Sequence, residues 1–352
     1  MHRMEILWQR HFLTALILLG MVVAIGVPVF ADASRQQEVH RLDGYSIYFS
    51  EDDREANPFD RSDEGASLFA GLLSSLGAKV ATLDWRQGIP EDADLVIIAG
   101  PIRYVGVAEL ARLWHYLSNG GAALLFVDPL LTALDEEGNL VTDINRSIPT
   151  EFFDLTWQDF GIRMRGDVVV VEDGSAGLQS DLLATDVDST HPITAGLRGP
   201  LAFFSARSIA YDASLQSYRA TPLVFSSDDH YGEASFAAYL LEGTAAFNIG
   251  IDTPRGPLAL AVASENRLTG ARLVVVGDRD FVTNGRGMQT APANTAGFLY
   301  PGNAYFLLRA VGWLVGADAM PTDQILFPTP GPTASPTPIP TPTPLLTPTP
   351  GP

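Results

Sequence analysis

A chain of 352 residues with 46% hydrophobic content is long enough to bury a sizeable core. Its formal net charge of -19 argues against a nucleic-acid binder, which needs a basic footprint, and equally against a folded body drawn to anionic lipid. Cysteine is absent, which excludes disulfides, thiolate metal sites and a cysteine nucleophile.

His2, Arg3, Arg10 and His11 precede an apolar run from Phe12 to Phe30, broken only by Thr14 and Pro28. Its length, roughly 19 residues, lies between a signal-peptide core and a membrane-spanning helix. Two small-residue cleavage patterns follow, Val29-Phe30-Ala31 and Ala31-Asp32-Ala33. Positive charge before the run and an acidic flank after it predict a body outside the cytoplasm, secreted or membrane-anchored. The expected organisation is a signal peptide or anchor over 1–33, an α/β domain over 34–316 with a strand-rich portion at 173–263, and a Thr-Pro-rich tail over 317–352.

Tyr45 to Phe49 alternates and is rich in aromatics, which predicts the first strand. The acidic loop behind it, with Asp52, Asp53, Glu55, Asp60 and Asp63, reads first as a solvated loop. A cation or polar ligand is the sharper alternative, without EF-hand spacing to support it. Leu68, Phe69, Leu72, Leu73 and Leu76 recur at helical spacing, with Gly77 as the stop. Lys79 to Leu83 follows as a second strand.

Asp94 to Pro129 is the most informative stretch. Leu95 to Ala99 is a short apolar run closed by Gly100-Pro101, the pattern of a strand buried on both faces. Val107, Leu110, Ala111, Leu113, Trp114 and Leu117 form one helical stripe, and Asn119-Gly120-Gly121 ends it. Ala122 to Val127 is a further apolar run, ending in Asp128-Pro129. Strand, helix, strand in this order predicts a right-handed parallel crossover. Ligands of such sheets bind beyond the carboxyl ends of the strands, here at Arg103-Tyr104 and Asp128.

Beyond a polar, irregular stretch over 130–149, Glu151 to Phe160 reads as a helix with an aromatic face, and Val168 to Val171 as a strand. Short β-like runs follow at Leu201 to Ser205, Pro222 to Ser226, Ala245 to Ile251 and Leu258 to Ala263. Arg272 to Val276 returns to the buried-strand pattern and ends in Gly277-Asp278-Arg279-Asp280. A last helix is expected from Gly302 to Val315, started by Pro301 and stopped by Gly316. From Pro321 onward Thr-Pro repeats hold about half of the 25 prolines, a composition suited to an extended spacer and not to a core.

The segments ADLVIIAGP, L-x-N-G-G, FVDP, THPIT (Thr190 to Thr194), VVVGDRDFVTN and GNAYFLLRAVGWLVG together resemble the extracytoplasmic domain of GldG-like gliding-motility ABC-transporter auxiliary proteins. They also resemble related membrane-associated bacterial domains of unknown function. The resemblance covers Leu42 to Gly316. It implies a flavodoxin-like or class I glutamine-amidotransferase-like α/β fold, a parallel sheet with helices on both faces plus a strand-rich irregular insertion. It further implies an accessory role beside a membrane partner, an ABC permease, without amidotransferase chemistry. Members of that group carry transmembrane helices, whereas this chain offers at most one, at its N-terminus.

Residues for catalysis are scarce. The amidotransferase cysteine is missing, no Gly-x-Ser-x-Gly elbow occurs, and phosphate-loop and dinucleotide fingerprints are absent, so no cofactor is expected. The candidates left are the strand-end residues Asp128, Asp278 and Asp280, with Asn284 behind them. Paired carboxylates there suit cation binding or acid–base work; alternatively they cap turns by accepting backbone hydrogen bonds. Arg279 is expected to pair with one of them. Arg103, Tyr104 and His191 are weaker ligand-binding candidates, and Asp186-Val187-Asp188 and Asp228-Asp229-His230-Tyr231 weaker still; no metal site is assigned. The leading expectation is a non-catalytic extracytoplasmic accessory domain. The alternatives are a glycan- or solute-binding module and a metal-dependent hydrolase using the strand-end aspartates.

Overall fold

The computed structural model describes residues 42–317 except 52–54, 101–105, 130–132, 135–139, 142–149, 174–176, 198, 215, 237–238, 240–246 and 292–296. The expected signal or anchor, the Thr-Pro tail, Arg103, Tyr104 and most of the 130–149 stretch lie outside the described residues.

The first half of the domain runs β1 (Ser46–Ser50), α1 (Ser67–Ser75), β2 (Lys79–Leu83), β3 (Leu95–Ala99), α2 (Val107–Ser118) and β4 (Ala122–Phe126). A small antiparallel pair, β5 (Ala133–Leu134) and β6 (Leu140–Val141), precedes α3 (Thr150–Phe160). Short strands follow: β7 (Ile162–Met164), β8 (Val168–Asp173), β9 (Gly177–Gln179), β10 (Asp181–Ala184), β11 (Asp186–Val187), β12 (Leu201–Phe204) and β13 (Ile209–Tyr211). Then come β14 (Tyr218–Phe225), β15 (Tyr231–Glu233), β16 (Ala259–Asn266), β17 (Arg272–Val276), a 3-10 turn at Asp280–Val282, and α4 (Pro301–Val315).

The central sheet has the order β11-β14-β16-β17-β4-β3-β1-β2. Its β2-β1-β3-β4-β17 part is wholly parallel, the flavodoxin-like order expected from the crossover pattern. The strand-rich portion is less separate than its irregular sequence suggested. β14 and β16 continue the main sheet in antiparallel fashion, and only the remaining short strands form side sheets, β15-β8-β9, β10-β12 and β13-β7.

Alternation along the strands divides the core. Ile47, Phe49, Leu95, Ile97, Leu124, Phe126, Val274 and Val276 face α1 and α4, while Tyr48, Val96, Ile98, Leu125, Leu273 and Val275 face α2 and α3. Burial on both faces is why these strands read as unbroken apolar runs. In α4, Phe306, Leu307 and Leu308 are wholly buried, each contributing about 1.5–3 kcal/mol. Asn303 in the same helix exchanges two hydrogen bonds with the backbone of Ala202, stitching α4 to β12.

One expected strand does not form among the described residues. The described part of Ala245–Ile251 turns back on itself, with the N–H groups of Ile251 and Asp252 both donating to the Asn248 carbonyl. The Asp252 carboxylate accepts from the Asn248 N–H at 2.6 Å, which fixes the turn and leaves Ile249 and Ile251 exposed.

Leu42 lies beside the end of α1, bonded to the Leu76 carbonyl, and α4 ends beside Arg272, the first residue of β17. The described chain therefore enters and leaves at one pole of the sheet, the amino-terminal pole. The strand carboxyl ends form the other.

Candidate functional site

At the carboxyl edge, β3 ends at Gly100, β4 at Val127-Asp128 and β17 at Gly277-Asp278. Val276 is in register with Phe126, and the Val127 N–H donates to the Val276 carbonyl at 2.9 Å, so Asp128 and Asp278 leave neighbouring strands at the same level. The sequence expectation that these two share one edge holds.

Their oxygens are engaged by backbone. Asp128 Oδ1 accepts from the Arg279 N–H at 2.5 Å. Asp278 Oδ2 accepts from the Phe204 N–H at 2.7 Å, and its Oδ1 from the Asp280 N–H at 2.8 Å, which starts the 3-10 turn. Burial pushes the Asp128 carboxyl up to about 6; the Arg279 N–H works against this and the Asp280 charge adds to it. Burial, reinforced by the charges of Asp128 and Asp280, holds the Asp278 carboxyl well above the usual range. Asp280, partly exposed, is raised by burial and lowered by Arg279.

Arg279 reaches away from these carboxylates. Its Nη1 meets Glu64 Oε2 at 2.7 Å, with Asp280 Oδ1 more distant at 3.7 Å. The expected pairing with a strand-end aspartate is thus secondary to one with the loop before α1. The side chain gets there by crossing Gly100, where a Cβ would run into Arg279 Cδ. Asn284 is structural too. Its Oδ1 accepts from the Leu68 N–H at 2.9 Å, capping α1 where Ala66 has no side chain to do so, and its Nδ2 donates to the carbonyls of Asp60 and Ser62.

Sequence reasoning missed Arg207. It is 1% exposed, between β12 and β13, and its Nε and Nη1 have no hydrogen-bond partner among the described residues. Burial pulls the guanidinium down to about 10, against the charges of Asp167 and Asp128 that face it. Asp167 itself is engaged by the Ser208 N–H, Ser208 Oγ and Thr253 Oγ1. The one sequence signal is a lone charge inside LAFFSARSIA, an otherwise apolar stretch.

His191 is not brought to the aspartates. Its ring packs on Trp313 at 5.2 Å, at the opposite pole, where Arg272 also stacks on that tryptophan. Its Nδ1 accepts from the Ile193 N–H, and burial pulls the imidazole down to about 4, so it is neutral. Asp188 closes a turn by accepting from Thr190, and Asp229 pairs with His230 at 2.9 Å. Among the described residues no group of three His, Asp or Glu side chains could hold a metal ion.

Fold and edge together define a mixed α/β domain of flavodoxin-like order whose strand-end carboxylates are tied to backbone. The family model described as an ABC-type uncharacterized transport system matches residues 45–310, and the chain belongs to that family. No protein of curated function matches it. Among solved structures, the mmIFT52 N-terminal domain is similar at 16% identity and TM-score 0.50, over 78% of this chain and 99% of that one. A ThuA-like protein from Bacteroides uniformis aligns at 12% identity and TM-score 0.40, over 77% and 91%. A cytoplasmic protein from Salmonella typhimurium aligns at 12% and 0.41, over 77% and 98%. At 16% identity the likeness to the first of these is one of fold alone.

Proposed function

We propose that this protein is a non-catalytic, extracytoplasmic accessory domain of an ABC-type transport system, acting by contact with a membrane-embedded permease. The observation that carries the reading is the family match across residues 45–310. Two features support it. Asp128 and Asp278 spend oxygens on backbone N–H groups, the use expected of turn-forming residues and not of an acid–base pair. The apolar run at Phe12 to Phe30 precedes a domain whose chain enters and leaves at the amino-terminal pole. An anchor there turns that pole toward the membrane and the carboxyl edge away from it.

The test is affinity capture of the full chain from its native membrane, with mass spectrometry of both the partners and the mature N-terminus. Recovery of an ABC permease is the expected result. Recovery of soluble cytoplasmic proteins alone overturns the reading.

A further inference from the structure

We propose that Arg207, faced by the charge of Asp128, forms an oxyanion-binding site at the carboxyl edge of the sheet, and that its ligand is a small solute carrying a carboxylate, sulfate or phosphate group. The place is right on topological grounds, because open α/β sheets take their ligands beyond the strand carboxyl ends. The donor is right chemically, since a guanidinium matches oxyanions in both charge and planar N–H geometry.

Arg207 is also held as a binding group would be. Its N–H donates to the Gly277 carbonyl at 2.7 Å, and a Cβ on Gly277 would run into the Arg207 carbonyl. The next residue, Ser208, is fixed by two hydrogen bonds to Asp167. The backbone on which the guanidinium stands is therefore rigid. Yet the buried Nε and Nη1 have no partner among the described residues, and neither has the buried Arg279 Nε. Buried donors left in this condition are costly and mark a site that an acceptor can complete. The nearby carboxylates balance the charge of Arg207 without taking these N–H groups. Asp128, unlike Asp278, is partly exposed.

Asp128 then competes with the ligand. The charged groups facing it are Arg207, Arg279 and Asp280, with Asp278 beside them; Arg279 is matched by Glu64, and burial holds the Asp278 carboxyl well above its usual range. Above about 6 the Asp128 carboxylate is ionised and offsets Arg207. Below it the carboxyl is neutral and the edge gains positive charge, so anion affinity rises as pH falls. If only the protonated form binds, the gain from pH 7 to pH 5 is about tenfold.

The experiment is calorimetric titration with sulfate, whose charge is constant over this range, against chloride at matched ionic strength at pH 5, 6 and 7. The wild-type chain is expected to bind sulfate about tenfold more tightly at pH 5 than at pH 7. Asp128→Asn is expected to bind at pH 7 as the wild type does at pH 5, and Arg207→Met to lose sulfate binding. Absence of sulfate binding by wild type at pH 5 overturns the proposal, as does unchanged binding in a folded Arg207→Met. Should Arg207→Met fail to fold, Asp128→Asn decides, because it keeps the arginine: no gain at pH 7 overturns the site.

Discussion

Arg279 lies across Gly100, and its guanidinium closes on Glu64 2.7 Å away, so the crevice at the carboxyl end of β3 is bridged by the chain's own ion pair. Gly100 also has φ +78, a conformation an L side chain rarely adopts. Gly100→Ala therefore carries two penalties, backbone strain and a clash with Arg279. The expected loss is about 2–3 kcal/mol in a urea unfolding titration. A loss below about 0.5 kcal/mol would show that Arg279 does not take this path.

Asp278 is the joint between β17, β12 and the 3-10 turn. Asp278→Ala leaves the buried N–H groups of Phe204 and Asp280 without their acceptor, and should cost about 3 kcal/mol. The same titration measures it. A near-neutral result would mean that the carboxylate is not structural.

The pH dependence of stability isolates Asp128. Burial raises its folded-state value to about 6 from an ordinary 3.8, so the native state holds more protons than the unfolded chain between those values. Its contribution to stability is thus greatest at low pH and is lost as pH rises through about 6. Asp128→Asn keeps an acceptor for the Arg279 N–H and removes the charge. The variant should be more stable than wild type at pH 7, and the difference should shrink toward pH 4. A constant difference between pH 4 and 7 would contradict the raised value.

His191 gives a spectroscopic check of the opposite sign. Its value is depressed to about 4, so the unfolded chain takes up a proton that the folded one refuses, and stability falls as pH drops from 6.5 toward 4. Nuclear magnetic resonance titration of the ring should give a midpoint near 4. A midpoint near 6.5 would place the imidazole in water instead of against Trp313.

Much of this architecture was legible because buried parallel strands leave an unambiguous pattern. Lys79–Leu83, Leu95–Ala99 and Arg272–Val276 have the expected bounds, and their order implied that Asp128 and Asp278 meet at one edge. The run around Ile249 and Ile251 misled, because local hydrogen bonds to Asn248 and Asp252 outweigh hydrophobicity there. Asn284 looked like a ligand group, but it caps a helix 216 residues away in sequence, a pairing no local pattern encodes. Arg207 was illegible for the same reason: its environment is assembled from Asp128, Asp167 and Gly277, distant in the chain.

The central claim is that the domain works by contact and not by turnover. Its most direct measurement is quantitative capture from native membranes using wild-type and Asp278→Asn chains that are both folded. The account predicts the same ABC permease in comparable yield with each. Failure of either folded chain to retain any membrane transport protein above a mock capture would contradict it.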